Sequence, residues 1–177
     1  MKIVGICGSL RAGSSNAALL RAAAAIAPPE LEVSVYEGLG GLPPFNPDID
    51  HEDDIPPAPV AELRALLANA DGLLISSPEY AHGVPGSLKN ALDWLVSTGE
   101  LMGKPAVVIG SGPFARASLT ETLTMLSATV LAESPTVGPP LRTQFGTDGS
   151  IEDPGLAEAL HAVLAELAAS LAPAPAG

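Results

Sequence analysis

Two short stretches of the chain gather the residue types that handle anions and flat rings. Gly8 to Asn16 reads GSLRAGSSN after an apolar run, and Ser9, Ser14 and Ser15 supply hydroxyls there while Arg11 supplies a guanidinium. A helix opening near Ser15 would add its first free amides and the positive end of its dipole, a combination that suits an anion. Two commoner phosphate motifs are absent: no Gly-Lys-Ser/Thr closes the loop, and Gly8 and Gly13 stand without the middle glycine of a dinucleotide fingerprint. The remaining pattern favours a terminal monophosphate held by hydroxyls and amides. A plain helix cap from Ser14 or Ser15, with Arg11 in solvent, fits the same letters. The second stretch begins SPEYAHG, Ser77 to Gly83. Pro78 cannot continue a strand ladder, so the chain must turn out over the sheet edge there, with backbone that can face a planar ring.

Buried parallel strands read as continuous apolar runs, and three occur: KIVGIC at 2 to 7, GLLISS at 72 to 77 and PAVVI at 105 to 109. Leu31, Val33 and Val35 alternate with polar neighbours, as in an edge strand, and a fifth strand is expected within 129 to 137. Between the runs lie apolar stripes at helical spacing: Leu19, Leu20, Ala23 and Ala24; Val60, Leu63 and Leu67; Leu88, Leu92, Leu95 and Val96; Leu119, Leu123 and Leu126; and Leu156 through Leu171. Five alternations of strand and helix predict an α/β sandwich with helices on both faces of a parallel sheet. An edge second strand gives the order 2-1-3-4-5, in which ligands sit at the carboxyl ends of strands 1 and 3. The loops after strands 1, 3 and 4 therefore carry the site. Residues 38 to 59 form a long Pro, Gly and Asp-rich connection, 1 to 172 form one domain, and 173 to 177 (PAPAG) read as a flexible tail.

The 177 residues carry 20 acidic against 8 basic side chains, net charge −12, which repels a phosphate backbone and argues against nucleic acid as a partner. An anionic ligand then needs a local cation, which Arg11 provides. No apolar run nears the roughly 18 to 20 residues of a membrane span, and the first residues lack a signal-peptide pattern. Cys7, the lone cysteine, falls inside the first apolar run and reads as a small buried hydrophobe. These features point to the cytoplasm, and no metal site is expected.

GSLRAGSSN, the segment LPPFNPDID (Leu42 to Asp50), SPEY followed by VPGSLKNALDW, and the closing GTDGSIEDPGLAEALHAVLAEL (146 to 167) together resemble the NADPH-dependent FMN reductase family, whose relatives include quinone, chromate and azo-dye reductases. The resemblance implies a flavodoxin-like fold and bound FMN, with NADPH or NADH as co-substrate and a quinone, azo compound, metal oxyanion or free flavin as acceptor. It places Ser9, Arg11, Ser14, Ser15 and Asn16 at the phosphate, Pro78, Glu79, Tyr80 and Ala81 along the ring, and Ser111 and Gly112 at the pyrimidine edge. It assigns no catalytic side chain, since the flavin carries the redox chemistry, and His82 is accordingly not an acid or base. It also implies a homodimer or homotetramer, with Lys89, Asn90, Asp93 and Trp94 structural or at a subunit contact. Two departures stand out. Ala81, His82 and Gly83 replace the family's Asn, small residue and Ser, and GSGPFARAS (110 to 118) has a single Gly after Ser111, which predicts weaker flavin binding and a stiffer loop. An electron carrier of the flavodoxin type, or a binding module that has lost its flavin, are the rival readings.

Overall fold

The three central strands of the sheet are buried on both faces, so their side chains sort alternately into two separate cores. The computed structural model describes residues 1–51, 55–131 and 137–172. In chain order it has β1 (Lys2–Cys7), α1 (Ser15–Ile26), β2 (Glu32–Tyr36), α2 (Ala58–Ala68), β3 (Gly72–Ser76), α3 (Gly86–Asp93), β4 (Pro105–Ile109), α4 (Pro113–Met125), β5 (Thr129–Val130) and α5 (Pro154–Leu171). All strand pairs are parallel, in the order β2-β1-β3-β4-β5 expected from the sequence. Val4, Ile6, Leu73, Ile75, Ala106 and Val108 face α2, α3 and α4, where they meet Leu63, Leu67, Leu88, Leu92, Leu119 and Leu123. Ile3, Leu74, Val107 and Ile109 face the other way, onto Leu19, Leu20, Leu160, Val163 and Leu164 of α1 and α5. The period-2 pleat thus divides one apolar run between two helix layers.

Three details differ from the sequence expectation. β5 is only Thr129–Val130, extended by the Leu131 amide bonding to the Ala106 carbonyl (3.0 Å), and 132–136, like the tail at 173–177, lie outside the described residues. Val96 falls beyond α3 and is 66% exposed, so it is no part of that helix's core stripe. Trp94 is not a plug for a subunit contact: it is fully buried in its own chain, donates Nε1–H to the Pro43 carbonyl (2.9 Å) and meets Phe45 edge to face. Asn90, one turn earlier, bonds to the Pro43 carbonyl (2.9 Å) and accepts from the Phe45 amide (2.7 Å), so the two side chains pin the connection at 43–45 onto α3. Within that connection lie two 3-10 turns, Gly38–Gly41 and Pro47–Ile49. Arg64 fixes its far end by pairing with Asp50 (2.7 Å).

Candidate functional site

The carboxyl ends of β3 and β4 are tied to the start of α1 by one buried side chain. Asn16, in the first turn of α1, donates from Nδ2 to the Ser76 hydroxyl at the end of β3 (3.0 Å) and to the Gly110 carbonyl just after β4 (2.8 Å). Gly110 has φ +65°, and a Cβ there would come within 2.7 Å of Ser76 Oγ and 2.8 Å of Asn16 Nδ2, so only glycine meets both demands. Gly8 bonds through its amide to the Ser76 carbonyl (2.9 Å), and a side chain on it would collide with Ser77. The three loops that follow these strands therefore spring from one fixed point.

The first loop is shaped as an anion cradle. Ser14 is buried and caps α1, its hydroxyl accepting from the Ala17 amide (3.4 Å). The Arg11 carbonyl accepts from the Ser14 amide (3.0 Å), and the Arg11 side chain folds back to donate to the Gly13 carbonyl (3.2 Å). Among the described residues no acceptor takes the amides of Ala12, Gly13, Ser15 or Asn16, nor the Ser15 hydroxyl. Four unpaired amides around one turn, at the positive end of a twelve-residue helix, form the donor set a phosphate needs. Ser9 lies at the base, its hydroxyl facing the Arg11 amide (3.4 Å). Cys7 is buried beneath, with Sγ 3.5 Å from the Ser9 carbonyl. Asn16 contributes its amide to the cradle while its side chain is spent on the strand ends.

The second loop turns out at Pro78, as its proline requires, and then closes a tight hairpin. The Tyr80 and Gly83 backbones exchange hydrogen bonds of 3.0 and 2.9 Å, and the two residues between, Ala81 (φ +49°) and His82 (φ +58°), both lie in the left-handed region. Two positive φ values in sequence are the geometry of a type I′ turn, which favours Asn-Gly. Tyr80 is 54% exposed, and the turn presents its face outward. Glu79 reaches across to the third loop, where its carboxylate accepts from the Phe114 (2.9 Å) and Ala115 (3.1 Å) amides and so caps α4. The His82 ring stacks on Phe114, centroids 4.4 Å apart. A Cβ on Gly112 would strike the Glu79 carboxylate, so glycine is what lets the second and third loops close on each other. The amides of Ser111 and Gly112 have no acceptor among the described residues, and the buried Ser111 hydroxyl makes a long bond to the Ile109 carbonyl (3.3 Å). Arg116, one turn into α4, donates to the Val137 carbonyl (3.3 Å), and desolvation lowers its pKa from the ordinary arginine value.

These residues fit flavin mononucleotide at both of its ends. The cradle at 11–16 offers amides, a hydroxyl and a guanidinium to a phosphate, while the turn at 78–81 and the amides of 111 and 112 offer a flat backbone edge with free donors. The sequence pattern does not single out His82 and Phe114 as a pair, nor Arg142, whose guanidinium lies 3.1 Å from where a Cβ on Gly13 would stand. No short motif marks them, because each contact joins segments far apart in the chain.

Known proteins resemble the chain in sequence and in fold. Residues 1–139 match the model of the NADPH-dependent FMN reductase family. An NAD(P)H-dependent FMN reductase of Pseudomonas aeruginosa is 35% identical over 161 residues, 86% of this chain and 85% of that protein. A quinone reductase of Escherichia coli K12 is 38% identical over 110 residues, a stretch that covers 61% of this chain and 58% of the reductase. Among solved structures, FerB of Paracoccus denitrificans, a flavoenzyme NAD(P)H:(acceptor) oxidoreductase, superposes with a TM-score of 0.84 at 27% identity over 96% of each chain. Among the described residues no helix is long and apolar enough to cross a membrane.

Proposed function

The chain belongs to the NADPH-dependent FMN reductase family, and from that premise we propose that it binds FMN and uses NAD(P)H to reduce small acceptors of the quinone, azo, metal-oxyanion or free-flavin kind. The observation that carries the proposal is the Asn16 tie, which sets a cradle of unpaired amides beside a turn built to face a planar ring. When bound, FMN supplies the two-electron redox chemistry. The protein supplies position and field. Ser9, Ser15, Arg11 and the amides of Ala12, Gly13, Ser15 and Asn16 hold the phosphate; Ser14 orients them by capping α1 and Asn16 by locking the strand ends. Pro78, Glu79, Tyr80 and Ala81 line the ring, with Glu79 fixing the start of α4. The amides of Ser111 and Gly112 face the pyrimidine edge, where donors stabilise negative charge. No side chain of the chain is assigned an acid or base role.

The proposal extends to a cytoplasmic enzyme acting as a homodimer or homotetramer, for which the exposed apolar side chains of Val96 (66%), Met102 (70%) and Met125 (79%) give support. The test is direct: protein soaked in excess FMN and desalted should keep flavin absorbance, and should oxidise NADPH or NADH with a quinone present. Colourless protein would overturn the flavin reading and leave a binding module. Coloured protein without turnover on either nucleotide would leave an electron carrier. Sedimentation of the coloured protein as a monomer would overturn the oligomer.

A further inference from the structure

Where the loops after β3 and β4 meet, the chain holds one fixed negative charge with no cation to pair it. Segments 77–83 and 110–115 contain a single acidic side chain, Glu79, and neither lysine nor arginine. The Glu79 carboxylate is half-buried, and one of its oxygens accepts from both the Phe114 and Ala115 amides (2.9 and 3.1 Å). That same oxygen lies 2.5 Å from where a Cβ on Gly112 would stand, so the charge rests against the Gly112 backbone. Among the described residues no cation comes within ion-pair distance of it. Arg116, one turn into α4, is spent on the Val137 carbonyl (3.3 Å).

Capping α4 does not by itself call for a charge. A serine or asparagine at the cap position would satisfy the first amides with a neutral oxygen. The cap position is instead Gly112, which has no side chain, and the acceptor comes from another loop. The amino end of this thirteen-residue helix carries about half a positive charge, which a full carboxylate more than cancels. The backbone edge at 111–112 therefore combines two opposed features: free amides that favour an anion, and a carboxylate at contact distance that disfavours one.

We propose that Glu79 sets the reducing strength of the bound flavin. The inference rests on the flavin-reductase reading, in which the Ser111 and Gly112 amides face the pyrimidine edge of FMN. A hydride accepted there from NAD(P)H brings two electrons and leaves the nucleotide oxidised. The ring thereby gains one negative charge, which stays until a proton or an acceptor removes it. Glu79 raises the cost of that charge, whereas the neutral oxidised ring meets no such cost. The reduced ring is thus made a stronger donor to its acceptor, and the Ser111 and Gly112 amides keep the effect from abolishing reduction.

The test is the midpoint potential of FMN bound to the full chain, read against a dye of known potential, in wild type, E79Q, E79D and E79A. Glu79→Gln keeps an oxygen for the two amides and removes the charge. Its melting temperature should stay near wild type, while its potential rises by about 30 mV, a tenfold change in a two-electron equilibrium. This magnitude is modest because the carboxylate is partly exposed. Reduced FMN should then bind about tenfold tighter to E79Q, with the affinity for oxidised FMN unchanged, as the same cycle requires. Glu79→Asp does the reverse: its shorter side chain weakens the cap and lowers the melting temperature, yet the potential stays near wild type. Should E79Q fail to fold, E79A and E79D both lack the full cap and differ by the charge, so E79A should still lie above E79D. Equal potentials in wild type and E79Q, or in E79A and E79D, would overturn the inference, leaving Glu79 a cap and the reductase reading intact. A wild type that takes up no FMN would overturn that reading and the inference with it.

Discussion

Replacing Asn16 by Ala removes the side chain that ties the start of α1 to the ends of β3 and β4, and its cost can be worked out from the contacts. Two hydrogen bonds are lost, each contributing about 1 kcal/mol net, and the Gly110 carbonyl is left inside without its donor, a further ~1 kcal/mol or more. The sum is about 3 kcal/mol, which for a domain of this size lowers Tm by about 6 to 12 °C. Ser76→Ala is the internal comparison, because it leaves the Asn16 bond to Gly110 in place and should cost only about 1 kcal/mol. Asn16→Asp should exceed both, since a carboxylate would then face two oxygens with no proton to give. Urea unfolding of flavin-free protein, followed by circular dichroism, gives the stabilities, and FMN titration of the same samples gives affinity. The cradle amides of Ser15 and Asn16 and those of Ser111 and Gly112 are set by this tie, so affinity falls with stability in the Ala variant. A loss below 1 kcal/mol for Asn16→Ala, or equal losses for Asn16→Ala and Ser76→Ala, would refute the reasoning.

Arg11→Ala should weaken FMN by about 1.5 kcal/mol, the low end for a hydrogen bond to a charged group because this arginine is exposed, and should leave riboflavin binding unchanged; equal FMN affinity in titration would make Arg11 a solvated residue. Glu79→Ala frees the Phe114 and Ala115 amides, so it should cost about 1 to 2 kcal/mol in urea unfolding and loosen the start of α4, seen as faster amide exchange at those two residues. Ala81→Asn relieves a positive φ and should stabilise by about 0.5 to 1 kcal/mol while tightening FMN. Ser127→Gly is its control: Ser127 (φ +63°) ends α4 in a Schellman cap, with its own amide on Thr124 and that of Ala128 on Leu123, and the replacement should give a similar gain with FMN affinity unmoved.

The sheet order and the helices were legible because burial on both faces leaves unmistakable apolar runs, and because Leu63, Leu67, Leu119 and Leu123 keep helical spacing. The short β5 was not. It lies at the sheet edge with Thr129 exposed, so little apolar pattern marks its length. Residue types alone marked Gly8 to Asn16 as a candidate anion loop, with a plain helix cap fitting the same letters. They did not reveal that the Asn16 side chain points inward, because that depends on where Ser76 and Gly110 arrive in space, whereas the Ser14 cap, a local contact, was one of the two readings the letters allowed. Trp94 stood open between a structural role and a subunit contact, and its burial with Nε1–H on the Pro43 carbonyl gives it the structural one.

The two halves of the site are held by different kinds of force, and this decides which positions tolerate change. On the phosphate side, Gly8, Asn16, Ser76 and Gly110 pack at contact distance with buried hydrogen bonds, so a substitution there must move a strand end and disturb both cores. On the ring side, Ala81 and His82 sit in a backbone region that costs ~1 kcal/mol or more per residue for a side chain with a Cβ. That turn persists because the Tyr80–Gly83 bonds and the His82–Phe114 stack over-determine it. Its side chains are exposed and outside both cores, so replacements at His82 and Phe114 leave the packing of the sheet untouched and cost only the stack that helps hold the turn. The strand ends and the exposed rim where His82 meets Phe114 therefore respond differently to substitution, the first through both cores and the second through one local turn.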